Sequence, residues 1–135
     1  MTINPKIFRA NDIRGEYPEE INENIVSEIV NGLADLFSEG KIIVAHDIRL
    51  SSSSLYKTVL NQFKNKNHNL EIIEAGLATT PMFYFLVKKN KAVGGIMITA
   101  SHNPKNYNGL KVIDKNALPI SGTEILKILL APSKA

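Results

Sequence analysis

The residues best placed to do chemistry in this sequence are Ser101, His102 and Lys111. Ser101 follows an apolar run, Gly94-Gly95-Ile96-Met97-Ile98, that reads as a buried strand, and Pro104 closes the loop that begins there. Proline cannot continue a ladder, and it pushes Asn103 toward an extended or turn conformation. A serine hydroxyl with small or polar neighbours, Ala100 and Asn103, is therefore offered where a strand meets a loop, with a histidine directly after it. Lys111 falls inside a second apolar run, Gly109-Leu110-Lys111-Val112-Ile113, where an ammonium is costly unless a counter-charge or a ligand meets it. The intervening Lys105-Asn106-Tyr107-Asn108 reads as a polar bend. These residues do not make a hydrolase triad. Adjacent serine and histidine point to opposite sides of a strand, and no Gly-x-Ser-x-Gly elbow surrounds Ser101. Serine and asparagine beside proline are also ordinary turn formers, so residue types alone leave the reaction unnamed.

The elements that must hold this loop follow from periodicity. Residues 6–9 read as a short strand entering a polar bend, Asn11 to Gly15, where Gly15 permits a positive φ. Arg9 and Arg14 flank Asp12, so a local ion pair is one reading of Arg14; its planar fork of donors suits a phosphate equally well. From Pro18 onward, Ile21, Ile25, Val26, Ile29, Val30, Leu33, Leu36 and Phe37 form one apolar helical stripe, with acidic first turns and Gly40 as its stop. Lys41 to Ala45 reads as a strand buried on both faces. His46-Asp47-Ile48-Arg49 leaves its C-terminal end, the edge where α/β folds gather functional groups, and Asp47 and Arg49 read as ties to neighbouring loops.

Serines 51–54 supply a cap for a helix that turns Leu55, Val59, Leu60 and Phe63 inward. Asn65 to Asn69 is a polar connection with His68 solvated, and Leu70 to Glu74 is a third strand. Thr79-Thr80-Pro81 starts a helix that ends in Lys88, Lys89 and Lys91. Ser121 and Glu124 are spaced as a capping box for a last helix that stops at Pro132. Five strands alternating with four helices predict a three-layer α/β/α domain, residues 1–135, with a mixed, mostly parallel sheet. The short connection between the last two strands makes that pair antiparallel.

Composition narrows the partners. With 44% hydrophobic and 21% charged residues, 135 residues make an ordinary soluble domain. No apolar run approaches the length of about 18 residues that a membrane helix needs, and Asn4, Pro5 and Lys6 interrupt any signal-peptide pattern. The absence of cysteine excludes disulfides and thiolate metal sites and suits a reducing compartment, so the cytoplasm is the expected location. Net charge is +3, but residues 16–39 carry seven acidic and no basic side chains, which leaves the basic excess nearer the serine loop. No dense basic stripe with interleaved aromatics is present, so nucleic acid is a poor partner and a small anion a better one.

The stretch Thr99-Ala100-Ser101-His102-Asn103-Pro104 resembles the phosphoserine loop of the α-D-phosphohexomutases, the phosphoglucomutase/phosphomannomutase superfamily. Four further segments are similar to that family's motifs, in the same order. They are Phe8-Arg9-Ala10-Asn11-Asp12-Ile13-Arg14-Gly15, Ala45-His46-Asp47-Ile48-Arg49-Leu50-Ser51, Thr80-Pro81 after Ala75-Gly76, and Tyr107-Asn108-Gly109-Leu110-Lys111. The resemblance runs over roughly residues 7–124 and implies the first domain of a four-domain enzyme. Such enzymes move a phosphoryl group between the 1- and 6-positions of glucose or mannose phosphates through a phosphoserine and a hexose bisphosphate.

It implies that Ser101 carries the phosphoryl group, that His102 and Lys111 are the candidates for proton transfer and charge stabilisation, that Asn103 bonds within the loop or to phosphate, and that Arg14 binds phosphate. Members of the bacterial type carry tyrosine where this chain has Asn11, which leaves the sugar contact there open. The family's Asp-Gly-Asp-Gly-Asp-Arg metal loop, its sugar-recognition loop and its C-terminal phosphate loop are not found in this chain. Magnesium, the hexose bisphosphate activator and the remaining mutase domains are thus implied as cofactors and partners, with only the phosphate on Ser101 as a metal ligand from here. The alternative is a non-catalytic remnant that binds phosphate or a partner protein.

Overall fold

The computed structural model describes residues 3–66 and 69–131. Among these the order is β1 (Ile13–Glu16), α1 (Glu23–Leu33), β2 (Gly40–His46), α2 (Ser52–Lys66), β3 (Leu70–Leu77), α3 (Thr80–Lys89), β4 (Gly94–Ile98), β5 (Tyr107–Asp114) and α4 (Gly122–Leu130). The strands form one sheet in the order β1-β5-β4-β2-β3. β2 pairs in parallel with β3 and β4, whereas β5 is antiparallel to both β4 and β1. Four strands therefore point one way and β5 alone runs against them, which is the mixed, mostly parallel sheet that the sequence predicts.

The unbroken apolar run of β2 reflects burial on both faces. Ile42 and Val44 face the larger core, packed by α1, α2 and α4, while Ile43 and Ala45 face α3. Leu55, Val59, Leu60 and Phe63 of α2 are all buried, each worth about 1.5–3 kcal/mol if fully withdrawn from water. α3 sits closely on β4 because Gly95 has no side chain: a Cβ there would lie 2.6 Å from the Phe83 ring. Over the second face α3 packs on β2 and β4, and among the described residues it is the one helix of that layer.

Several boundaries differ from the sequence reading, β3 among them, which runs on from Glu74 to Leu77. Residues 6–9 do not form a strand: Pro5–Ile7 is a 3-10 turn, capped where the Asn4 side chain accepts from the Lys6 N–H, and Phe8 makes only a bridge to Ile13. Pro5 has no N–H to lose and a φ suited to helix entry, so the strand is deferred to Ile13–Glu16, where β5 offers partners. The first helix begins at Glu23 rather than after Pro18, because the Asn22 side chain accepts from the Ile25 N–H and fixes the cap. It ends at Leu33, and a turn that returns Phe37 N–H to Leu33 O still plants Phe37 in the core; Gly40 opens β2 instead of closing α1. Finally, Tyr107 and Asn108 are the first residues of β5, paired with Glu16 and Gly15, so the polar bend is shorter than its composition suggests. The expectations for His68 and Pro132 lie outside the described residues.

Candidate functional site

Register gathers the site. His46, the last residue of β2, pairs with Leu77 at the end of β3 and with Ile98 at the end of β4. Three loops therefore leave the sheet side by side at its C-terminal edge: 47–51, 78–79 and 99–106. Between them lies a cleft of about 1150 Å³ whose lining includes Ser101, His102, Asn103, Lys111, Thr80 and Arg49. Lys111 reaches it from the neighbouring antiparallel strand, where it pairs with Met97 one residue before the end of β4.

Ser101 is exposed and has a φ of +55°, in the left-handed region that an L side chain enters at a cost of about 1–2 kcal/mol. The backbone on each side of it is held. Its N–H donates to Thr99 Oγ1 at 3.1 Å, and its carbonyl accepts from Arg49 Nη2 at 2.9 Å. Asn103 folds back on the loop, its backbone N–H and its Nδ2 both donating to Ala100 O, at 3.1 and 2.8 Å. The turn closes where Tyr107 N–H donates to Pro104 O at 2.9 Å. Asn103 is thus committed to loop shape, while the hydroxyl of Ser101 and the ring of His102 face the cleft without a hydrogen bond among the described residues.

Beneath the loop is a polar network. Asp47 Oδ1 accepts from the Ser52 hydroxyl and from the Arg49 N–H, and Asp47 Oδ2 lies 3.4 Å from Arg49 Nε. Ser52 and Ser51 in turn accept from Asn108 Nδ2 at 3.0 and 2.7 Å, and Asn108 Oδ1 accepts from Gly109 N–H at 2.9 Å. Asn108 is fully buried, and no buried side-chain polar atom among the described residues is left unpaired. Asp47 and Arg49 are the ties that their place in the sequence suggests. Asn108 was not expected: nothing in its residue type or local periodicity marks it as buried. Gly109 beside it admits no side chain, since a Cβ would fall 1.9 Å from Ile13 O. At the base of the same edge the Tyr56 hydroxyl accepts from Gly76 N–H at 3.1 Å; burial, aided by the Glu74 charge, pushes its phenol above the ordinary value despite that bond.

Lys111 has no carboxylate partner among the described residues. Its ammonium donates to Tyr84 Oη at 3.3 Å and lies 5.9 Å from the centre of that ring, so α3 supplies the contact that the sequence left open. Arg14 does not line the cleft. It sits on β1 opposite Gly109, on the sheet face that also carries Lys111, and its Nε bonds Asp12 Oδ1 at 2.9 Å. The local ion pair is therefore present, and the Nη groups make no hydrogen bond among the described residues. Asn11 is exposed in the loop before β1 and also lies outside the cleft lining. Ser101, His102, Asn103 and Lys111 come together; Arg14 and Asn11 lie outside the cleft lining.

A mixed α/β/α sheet whose polar loops converge on an exposed serine beside a lysine with no carboxylate partner among the described residues defines a three-layer domain with a site at its C-terminal strand edge. Residues 5–132 match the family model described as phosphoglucomutase/phosphomannomutase, alpha/beta/alpha domain I. A phosphomannomutase of Klebsiella pneumoniae is 42% identical over 115 residues, covering 85% of this chain and 72% of that protein. The phosphohexose mutase of Xanthomonas campestris pv. campestris (strain B100) is 40% identical over 114 residues, 84% of this chain and 25% of the relative. Among solved structures, a phosphoglucomutase/phosphomannomutase family protein from Burkholderia thailandensis superposes with a TM-score of 0.81 at 25% identity, covering 94% of this chain and 30% of that one. The chain belongs to the phosphoglucomutase/phosphomannomutase family and corresponds to its domain I. It spans about a quarter of the length of the Xanthomonas relative.

Proposed function

We propose that this chain supplies the phosphoryl-carrying serine of a hexose-phosphate mutase acting between the 1- and 6-positions of glucose or mannose phosphates. One observation carries the reading: an exposed Ser101 hydroxyl, on a backbone clamped in the left-handed region, shares a cleft with an ammonium that has no carboxylate partner among the described residues. In the proposed cycle the phosphorus–oxygen bond to Ser101 Oγ breaks as a bond to a free sugar hydroxyl forms. The sugar hydroxyl gives its proton to a base, and Ser101 Oγ leaves as a hydroxyl with a proton from an acid. In the reverse transfer from the other end of the bisphosphate Oγ gives that proton back and the phosphoserine is restored. Lys111 offsets phosphoryl charge, and His102 and Lys111 are the two groups able to move the proton. Arg14, with its Nη donors free of other bonds among the described residues, would take a phosphate of the sugar. Asn11 would touch the sugar ring, and Asn103 would shape the loop.

Among the described residues no three His, Cys, Asp or Glu side chains cluster as a metal site. These residues do not build a magnesium centre by themselves, and in the proposal the ion and the hexose bisphosphate activator act only with the remaining mutase domains. No helix among the described residues is long and apolar enough to cross a membrane, and a cysteine-free chain suits the reducing cytoplasm, where we place the reaction. The test is kinetic. The 135-residue chain alone should show only background conversion of glucose 1-phosphate to glucose 6-phosphate, whereas the chain joined to the other domains of a phosphomannomutase should turn over. Ser101→Ala in that complete enzyme should lower the rate by orders of magnitude; near-normal turnover with an intact fold would refute the assignment.

A further inference from the structure

We propose that Arg49 is the positioning residue of the serine loop and binds no substrate phosphate, although it lines the cleft. The inference rests on the phosphoserine reading for its consequence, but on geometry for its content. A guanidinium has five N–H donors and no acceptor. Arg49 Nη1 donates to Pro104 O at 2.6 Å and to Tyr107 O at 3.1 Å, and Nη2 donates to Ser101 O at 2.9 Å and to Asn103 O at 2.8 Å. The fifth donor, on Nε, faces Asp47 Oδ2 at 3.4 Å. All four Nη donors are bonded within the protein, Nε is held in an ion pair, and the side chain is only 13% exposed. An arginine waiting for phosphate would hold at least one edge of its fork open, as Arg14 does.

The four carbonyls come from residues 101, 103, 104 and 107, so one planar group anchored on the 47–51 loop gathers a whole turn of the serine loop around itself. The bond to Ser101 O has a specific effect. Together with the Thr99 bond to Ser101 N–H it fixes the peptide groups on both sides of a strained φ, and strained residues persist only where their surroundings over-determine them. Lysine cannot replace this arginine: three donors on a point charge do not match four carbonyls arranged around a plane. Sequence spacing marks Arg49 as a tie but does not show that it holds the nucleophile's own carbonyl from 52 residues away.

The experiment has two arms. In the 135-residue chain, Arg49→Ala should speed hydrogen exchange of the Asn103 and Tyr107 amides at least about tenfold while β2 and β4 amides keep their protection, and added methylguanidinium should restore the slow exchange. Arg49→Lys should exchange as fast as Arg49→Ala. In the complete mutase, Arg49→Ala should lower kcat by roughly 100-fold, the scale expected for an ångström of misplacement, with little change in KM for the sugar phosphate. Unchanged loop exchange would overturn the proposal, and so would a raised KM with normal kcat, which would make Arg49 a substrate ligand. Active Ser101→Ala enzyme in the same assay would refute the phosphoserine reading instead, and the exchange arm would still decide whether Arg49 shapes the loop.

Discussion

Replacing Ser101 by alanine and by glycine separates its backbone from its chemistry. Both substitutions remove the hydroxyl, and the hydroxyl makes no hydrogen bond among the described residues, so its loss should be nearly silent in stability. Alanine inherits the φ of +55° and its steric cost, and Ser101→Ala should change the unfolding free energy by no more than about 0.5 kcal/mol. Glycine is relieved of a left-handed penalty of about 1–2 kcal/mol. Against this, its unfolded chain is freer by about 0.4–1 kcal/mol, so Ser101→Gly should be more stable than the parent by roughly 0.5 kcal/mol. Urea unfolding of the three proteins in parallel gives the comparison directly, because one exposed side chain leaves the m-value unchanged. The expected order is glycine above serine, with alanine level with serine, while both variants of the complete enzyme fail to accept phosphoryl groups. A glycine variant less stable than the parent by more than about 1 kcal/mol would mean that the serine backbone is not strained or that its hydroxyl holds the loop. Either result would remove the reasoning that places Ser101 in a clamped turn.

Other perturbations test the surroundings. Gly109→Ala places a Cβ 1.9 Å from Ile13 O, so β1 must leave β5; a loss of more than about 3 kcal/mol and of amide protection along β1 is expected in urea unfolding and hydrogen exchange. Lys111→Met keeps the stem packed and deletes the ammonium, so stability in the same assay should hold or rise by up to about 1 kcal/mol while the complete enzyme loses rate; a large destabilisation would make Lys111 structural. Glu23 accepts from Tyr17 Oη at 2.8 Å and from Ser54 Oγ at 2.7 Å. Burial pushes its carboxyl up, but the bonds from Ser54, Tyr17 and its own backbone outweigh that and hold it below the ordinary 4.5. The unfolded chain then binds more protons near that pH, so this stabilisation is complete above 4.5 and is lost as the pH falls through the lower folded value. Glu23→Gln should flatten the acid limb of the stability–pH curve, and an unchanged limb would discount the bonds.

Most of the fold was legible because its elements, β1 apart, carry local signals. The β2 run is apolar without alternation, α3 opens with Thr79 and Pro81, and Ser121 with Glu124 marks the start of α4, where the Ser121 hydroxyl accepts from Glu124 N–H. The boundaries that shifted are those decided by a partner or a single cap. Glu19 and Glu20 are good helix formers outside the helix because the Asn22 cap lies beyond them, and residues 6–9 lose their strand because β5 pairs with Ile13–Glu16. The site divides in the same way. Ser101, His102 and Asn103 are contiguous, and their presentation follows from a strand, a small residue and a proline. The reach of Lys111 to Tyr84 and the burial of Asn108 against Ser51 and Ser52 depend on contacts 27, 57 and 56 residues apart, which no local pattern encodes.

These long-range contacts explain why an exposed loop can hold a strained conformation at all. A loop of residues 99–106 has little apolar surface of its own to bury, and loops of that kind open at low free energy. Here the fixing groups lie outside the loop. Arg49 binds its carbonyls, Asp47 orients Arg49, and Ser52 and Asn108 connect Asp47 to β5. The inner bonds of this chain, from Asp47 through Ser52 to Asn108, are partly or fully buried, where each is stronger and where losing one partner strands another. The side chains of Ser101 and His102 make none of these bonds, so they stay free to meet a ligand while the Ser101 backbone is held. Rigidity has been placed in Asp47, Arg49, Ser52 and Asn108, and reactivity in the residues they hold. A mutation in the first group should therefore disturb Ser101 without touching any ligand.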